Sequence, residues 1–219
     1  MPTRIDPAQI PPAPNLEFES ALWQQNLRLA AGLDEAGRGA WAGPVAAAAV
    51  ILPVNTEITE KLTGVRDSKE LTPLERERLA DRIQIYALAY ATGLASAEEI
   101  DTIGILPATR IAMTRALAGL GQIPDHLLID ALFLPDLSIP QTSLIKGDKR
   151  SLSIAAASIL AKTARDALMR AFDHEYPQYG FARHKGYGTR VHRESIERVG
   201  PCAIHRMSFS PLKEKSAGC

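Results

Sequence analysis

The chain has 219 residues, 46% hydrophobic and 23% charged, a composition that suits one sizeable soluble α/β domain with short additions. No apolar run approaches the roughly 20 residues that span a bilayer. The opening MPTRIDPAQIPPAPN lacks the apolar core of a secretory signal, so a cytoplasmic protein with no membrane partner is expected. The formal net charge of zero hides a split along the chain. Residues 1–145 carry 11 Lys/Arg against 18 Asp/Glu, whereas residues 146–219 carry 14 against 7 and four of the five histidines. A basic surface from the last third, able to meet phosphates, is one reading; solvated helix faces are the other. Cys202 and Cys219 lack metal-ligand spacing and read as free thiols.

Residues 1–15 carry five prolines and little else apolar, which predicts an extended, mobile arm. Leu16–Asn26 is a short amphipathic stretch that suits a helix. Arg28–Leu33 begins an apolar strand that stops at Asp34-Glu35, and Val45–Leu52 (VAAAAVIL) is apolar on both faces, as a buried strand is. The glycine-rich AGRGAWAG between them predicts a hairpin. Thr72-Pro73-Leu74-Glu75 opens a helix running to about Gln84, with threonine as N-cap and glutamate three residues on. A strand over Ile85–Leu94, a helix over Pro107–Leu120 and the strand HLLID (His126–Asp130) follow. Thr142–Ile145 is a further strand, ending at Lys146-Gly147-Asp148. Ser151 to about Phe172 is a long helix, and Val191–Val199 is a charged one after a Gly-, His- and Tyr-rich loop. An early hairpin followed by alternating helices and strands predicts an α/β domain with a mixed sheet.

Three of these strands end at acids: Asp34-Glu35, Asp130 and Asp148. Taken singly, each is equally a turn residue or a cap. Several strands of one sheet can nevertheless bring their ends together, and four carboxylates there would repel unless hard cations sat among them. Mg²⁺ or Mn²⁺, with oxygen ligands and retained waters, would meet that need, and a pair of such ions suits phosphodiester hydrolysis. Gly37-Arg38-Gly39 follows the first acids directly and would put exposed backbone N–H groups beside the metals, although a tight hairpin needs glycine in any case.

The string GLDEAGRGAWAGPVAAAAVIL (Gly32–Leu52) resembles the opening motif of the ribonuclease HII family. DSKELT (Asp67–Thr72), LLID (Leu127–Asp130), KGDKRSLSIAAASILAKTARD (Lys146–Asp166), HKGYGT (His184–Thr189) and HRMSF (His205–Phe209) continue the resemblance in the family's order. Arg38, where the related ribonuclease HIII family has lysine, and the short stretch ahead of the first strand both favour HII. The resemblance implies a ribonuclease H-like mixed sheet flanked by helices, with a small helical C-terminal region. It divides the chain into a Pro-rich arm and short helix (1–28), a catalytic domain (29–175) and a basic, mainly helical region (176–219).

Residue by residue, the resemblance makes Asp34, Glu35 and Asp130 the principal metal-binding carboxylates and Asp148 the fourth active-site acid. Gly37, Arg38 and Gly39 match the loop that senses the ribose 2′-hydroxyl, the group that separates RNA from DNA. Tyr187 matches the tyrosine that packs on the following sugar. Lys69, Lys146, Arg150, Lys162, Lys185 and Arg190 are candidate phosphate contacts, and no histidine is assigned a role. The implied reaction is endonucleolytic cleavage 5′ to a ribonucleotide in RNA–DNA hybrids or duplex DNA, by a monomer using two Mg²⁺ or Mn²⁺ ions. Ala40-Trp41 stands where the family often has Pro-Leu, and Ala131 where glycine is common. Two other classes stay open: a nuclease or strand-transferase of the same fold without ribose preference, and an inactive nucleic-acid-binding module.

Overall fold

A computed structural model describes residues 6, 7 and 10–213. Cys219 and part of the N-terminal arm lie outside the described residues. The end of the arm is docked rather than mobile: Asn15 N–H donates to the Arg150 carbonyl at 3.2 Å, and Leu152 N–H donates to the Asn15 carbonyl at 2.8 Å.

The first helix, α1 (Glu17–Gln24), turns a buried carboxylate inward. Glu19 Oε1 accepts from Ser151 Oγ, Ser153 Oγ and Ser153 N–H at 2.6, 2.6 and 2.9 Å. That ties α1 to the start of a long helix far along the chain. Strand β1 (Ala30–Ala36) continues through Asp34 and Glu35 instead of stopping before them. After it comes β2 (Val45–Ile51), buried at every residue as its composition predicts. A four-residue α2 (Ile58–Lys61) and a 3-10 turn, Ser68–Glu70, lead to α3 (Pro73–Tyr86). The predicted capping box is present there, with Thr72 N–H donating to Glu75 Oε2 at 2.8 Å and Glu75 N–H to Thr72 Oγ1 at 3.3 Å.

The predicted strand Ile85–Leu94 is shifted, because α3 runs to Tyr86 and β3 is Ala89–Ala95. The sequence reading also missed α4 (Ala97–Ile103), which a second capping box, Ser96 with Glu99, opens. Gly104 at φ 84° separates it from α5 (Ile105–Ala118). The remaining elements are β4 (His126–Asp130), β5 (Gln141–Leu144), a 3-10 turn at Gly147–Lys149, α6 (Leu152–Glu175), α7 (Phe181–His184) and α8 (Arg190–Val199).

One mixed sheet, in the order β3-β2-β1-β4-β5, organises the chain. The β3-β2-β1 part is antiparallel and the β1-β4-β5 part parallel. Alternate residues of β2 serve opposite layers, as the two-residue period of a strand requires. Ala48 and Val50 pack with Leu79 and Ile83 of α3 and Ile159 of α6; Ala47, Ala49 and Ile51 pack with Met113 and Ala116 of α5. Small residues let helices approach closely from both sides. At Gly32 a Cβ would overlap the Ser153 backbone, so a side chain there would push α6 off β1.

The parallel half positions the acids. Leu33 pairs with Ile129, so the next residue of each strand, Asp34 and Asp130, falls at the same end of the sheet. Asp130 in turn pairs with Leu144, after which the chain turns back through Gly147 and Asp148.

Candidate active site

Asp34 and Asp148 are buried, and Glu35 and Asp130 are half-buried. One oxygen of three of these acids is held by a nearby donor. Asp34 Oδ1 accepts from Glu35 N–H at 2.7 Å, Asp130 Oδ1 from Gly147 N–H at 2.7 Å, and Glu35 Oε1 from Arg38 Nη1 at 3.1 Å. Glu35 Oε2 is buried and has no hydrogen-bond partner. Asp148 lies not at a strand end but in the 3-10 turn after β5, a turn entered through Lys146 in the left-handed region at φ 55°.

Burial and mutual repulsion make these groups resist ionisation. The Asp34 carboxyl is held well above its usual range by burial, then by the charges of Glu35 and Asp130. Glu35 is raised by burial, against the lowering effect of Arg38. Asp130 is raised by burial and by Glu35, although the Gly147 N–H works the other way. Asp148 is pushed up to about 6 by burial, Asp130 and Asp67. Among the described residues no three His, Cys, Asp or Glu side chains are gathered closely enough to hold an ion as they stand. The donor set nevertheless points by its chemistry to one kind of ion. It consists of oxygens only, carries an unpartnered buried oxygen at Glu35, and leaves four acids strained by their own charge; all of this fits a hard divalent cation.

Lys69 belongs to this electrostatic cluster. Burial disfavours its ammonium, but Asp67, Asp148, Asp34 and Asp130 together outweigh that and raise its pKa. Asp67, unassigned from sequence although it begins the DSKELT motif, caps the 3-10 turn by accepting from Lys69 N–H at 3.0 Å and also faces Lys149 Nζ at 3.5 Å.

The Gly37-Arg38-Gly39 loop is built on two arginines that the sequence reading passed over. Gly37 has φ 94°, and a Cβ there would overlap the Arg165 guanidinium. Arg165 donates to the carbonyls of Pro44, Ala42 and Lys185 at 2.9, 3.0 and 2.9 Å. Arg206 donates to those of Gly43 and Arg38 at 3.0 and 2.9 Å, and its Nη2 has no partner. Both side chains are fully buried, and Arg206 is pushed down to about 9 by burial and by Arg165. Part of the C-terminal positive charge is therefore structural, which corrects the expectation of a purely surface-borne basic patch. Arg165 also lies against Tyr187, with Cζ 5.4 Å from the ring centre, while Lys162 Nζ is 5.7 Å away. Tyr187 is 37% exposed, enough to touch a ligand.

The other candidate cations are unequally placed. Lys146 is exposed, Lys162 is bound to Asp166 at 2.7 Å, and Arg190 to Glu194 at 3.1 Å. Lys185 donates to the Ala182 carbonyl, and Arg150 lies 4.9 Å from the Phe18 ring.

Residues 31–212 match the family model for ribonuclease HII. The ribonuclease HII of Synechococcus sp. (strain JA-3-3Ab) is 54% identical over 205 residues, covering 94% of this chain and 92% of its own. The chain belongs to the ribonuclease HII family. It is thus a ribonuclease of the H type, an endonucleolytic hydrolase acting on RNA–DNA duplexes. The fold agrees: the ribonuclease H2 crystal structure from Pyrococcus horikoshii OT3 superposes with a TM-score of 0.69 at 25% identity, over 84% of this chain and 95% of that one. Bst-RNase HIII in complex with Mn²⁺ shares the fold with a TM-score of 0.65 at 22% identity, over 90% of this chain and 73% of that one.

For a ribonuclease HII, the two departures noted in sequence have visible surroundings. Ala131 adopts φ 48°, a left-handed conformation that glycine takes more easily. Trp41 packs against His192 with ring centres 5.6 Å apart, and Arg193 lies 5.5 Å from its ring.

Proposed function

We propose that this ribonuclease HII hydrolyses the phosphodiester on the 5′ side of a ribonucleotide, in RNA–DNA hybrids and in duplex DNA with embedded ribonucleotides. The cut leaves a 3′-hydroxyl and a 5′-phosphate. Asp34, Glu35, Asp130 and Asp148 would hold two divalent cations, Mg²⁺ or Mn²⁺; bound there, these would lower the pKa of an attacking water and offset charge on the departing oxygen. The observation that carries the reading is the meeting of four acids from three neighbouring strands and their turns at one end of the sheet. They raise one another's pKa, and Glu35 Oε2 is left without a partner.

The chain's own groups do the rest. The Gly37-Arg38-Gly39 backbone, braced by Arg165 and Arg206, offers N–H groups and carbonyls to a 2′-hydroxyl. Tyr187 packs its exposed ring against the following sugar. Lys69 and Lys146 meet phosphates, and Lys69 also moderates the acid cluster before an ion enters. All the named groups come from one chain, so no partner subunit is needed. Asp130→Asn tests the assignment: Mg²⁺-dependent cleavage should fall at least about 100-fold. A variant that cuts near the wild-type rate would place the centre elsewhere.

A further inference from the structure

Beneath the Tyr187 loop lies a buried cluster of imidazoles. His184, His192 and His205 are 8%, 0% and 2% exposed, among Phe181, Tyr179 and Trp41. Their hydrogen bonds have a fixed direction, because backbone groups stand at both ends. At one end, Cys202 N–H can only donate, and it lies 2.9 Å from His205 Nδ1. The Cys202 carbonyl is farther from that nitrogen, at 3.3 Å, and the Cys202 thiol, 3.2 Å away, can donate to the same lone pair. His205 Nδ1 is therefore an acceptor, and the ring proton sits on Nε2.

That Nε2 faces His192 Nε2 at 3.0 Å, a separation that admits one hydrogen only. His192 Nε2 therefore accepts, and its proton sits on Nδ1. At the far end, His192 Nδ1 lies 3.0 Å from the Tyr187 carbonyl, which can only accept. The two ends thus fix the same orientation independently. His184 stands beside the chain with its ring stacked on His192 at 4.5 Å; it accepts from Gly186 N–H at 3.2 Å and donates to the Tyr179 carbonyl at 2.8 Å. All three rings are neutral in this arrangement. Burial agrees by lowering the pKa values of His192 and His205 to about 4.

We propose that His205 and His192 form a one-way hydrogen-bond relay from Cys202 N–H to the Tyr187 carbonyl, and that they are positioning residues for the ring that reads the sugar. The role in selectivity rests on the assignment of Tyr187 as a sugar contact; the direction of the relay does not. Among the described residues the only other donor on that carbonyl is Thr189 N–H at 2.8 Å. If His205 loses its Nε2–H, His192 Nε2 becomes a buried acceptor with no donor, and the ring loses the contact that fixes its plane. The His192 Nδ1–H, the donor that reaches the Tyr187 carbonyl from outside its own turn, is then held less firmly.

Two measurements test this. In the whole protein, nitrogen–proton correlation spectra of the imidazoles should show protons on His192 Nδ1 and His205 Nε2. The opposite tautomer on either ring overturns the relay. For the role in selectivity, His205→Asn keeps an acceptor for Cys202 N–H but lacks the far donor, whereas His205→Gln can place an N–H near the Nε2 position.

On a duplex with one ribonucleotide, kcat/KM should fall about tenfold in His205→Asn and return to within about threefold of wild type in His205→Gln. In a Tyr187→Ala background, His205→Asn should cost almost nothing further. An equal fall in both backgrounds would mean that His205 merely supports the fold, and would overturn the positioning role. If Tyr187→Ala alone changes nothing, the sugar-contact assignment fails and takes the selectivity role with it, while the spectra still decide the relay.

Discussion

Replacing Asp148 with asparagine should stabilise the metal-free protein while weakening cleavage. In the folded chain its carboxyl titrates at about 6, against an ordinary value of 3.8, because burial and the neighbouring Asp130 and Asp67 oppose its charge. At one unit per about 1.4 kcal/mol, keeping it ionised above pH 7 costs about 3 kcal/mol, an upper bound on what removing the charge returns. For a chain of this size that corresponds to about 6–12 °C in Tm. The sign follows from proton binding. Between pH 4 and 6 the folded state holds the Asp148 proton more tightly than the unfolded state, so stability from this group falls as pH rises through that window and stays low above it.

Thermal melts in chelator at pH 7.5 and 4.5 check this for wild type and Asp148→Asn. The variant should melt higher at pH 7.5, and the gap should narrow at pH 4.5, where the wild-type carboxyl is protonated. Adding Mn²⁺ at pH 7.5 should raise the wild-type Tm more than the variant's, because the ion offsets the charge that the variant lacks. A variant equal to or weaker than wild type in chelator at pH 7.5, or a gap unchanged at pH 4.5, would refute the picture of a strained acid cluster.

Ala131→Gly should stabilise the chain by about 0.5–1 kcal/mol in denaturant melts, since Ala131 sits at φ 48°; a loss of stability would contradict the strain assigned there. Gly37→Ala should cost more than about 1 kcal/mol and reduce cleavage, because it meets both a φ of 94° and the Arg165 guanidinium. A loss under about 0.5 kcal/mol would mean the loop is not braced as described. Cleavage should weaken steeply as salt rises from about 50 to 200 mM, through loss of phosphate contacts. A flat response would count against Lys69 and Lys146 as phosphate groups.

Much of the sheet was legible from the sequence because its strands are short apolar runs with plain punctuation. Val45–Leu52 and His126–Asp130 were placed within a residue, and Thr72 with Glu75 announced α3 by a local hydrogen-bond pattern. The β3 region was harder to read. On this edge strand the inward positions are Ala89, Ala91, Gly93 and Ala95 while Tyr90 and Leu94 face out, so hydrophobicity does not mark the buried face, and the apolar residues Ile85 and Tyr86 were assigned to the strand instead of the helix end. Ser96-x-x-Glu99 carried the same capping signal as Thr72 and went unread.

Asp34, Glu35 and Asp130 were visible because they close apolar runs, whereas Asp148 stands in a turn beyond β5 and was marked chiefly by the motif around it; β1, β4 and β5 bring these segments to one end of the sheet. Arg165 and Arg206 were not. A sequence window scores arginine as solvent-facing, and only the tertiary structure reveals backbone carbonyls waiting for a buried guanidinium. The histidine relay was hidden for a related reason. Its members lie on α8 and the segment after α8, and their tautomers are set by backbone groups of Tyr187 and Cys202 that only the folded chain brings to the rings.

The most direct test of the central claim is product mapping on a defined duplex containing one ribonucleotide, with an all-DNA duplex of the same sequence beside it. In Mg²⁺ or Mn²⁺ a single cut should appear on the 5′ side of the ribonucleotide, leaving a 3′-hydroxyl and a 5′-phosphate. Chelator should abolish it, and the all-DNA duplex should stay intact. Equal cutting of both duplexes, or cleavage undiminished in chelator, would contradict the account.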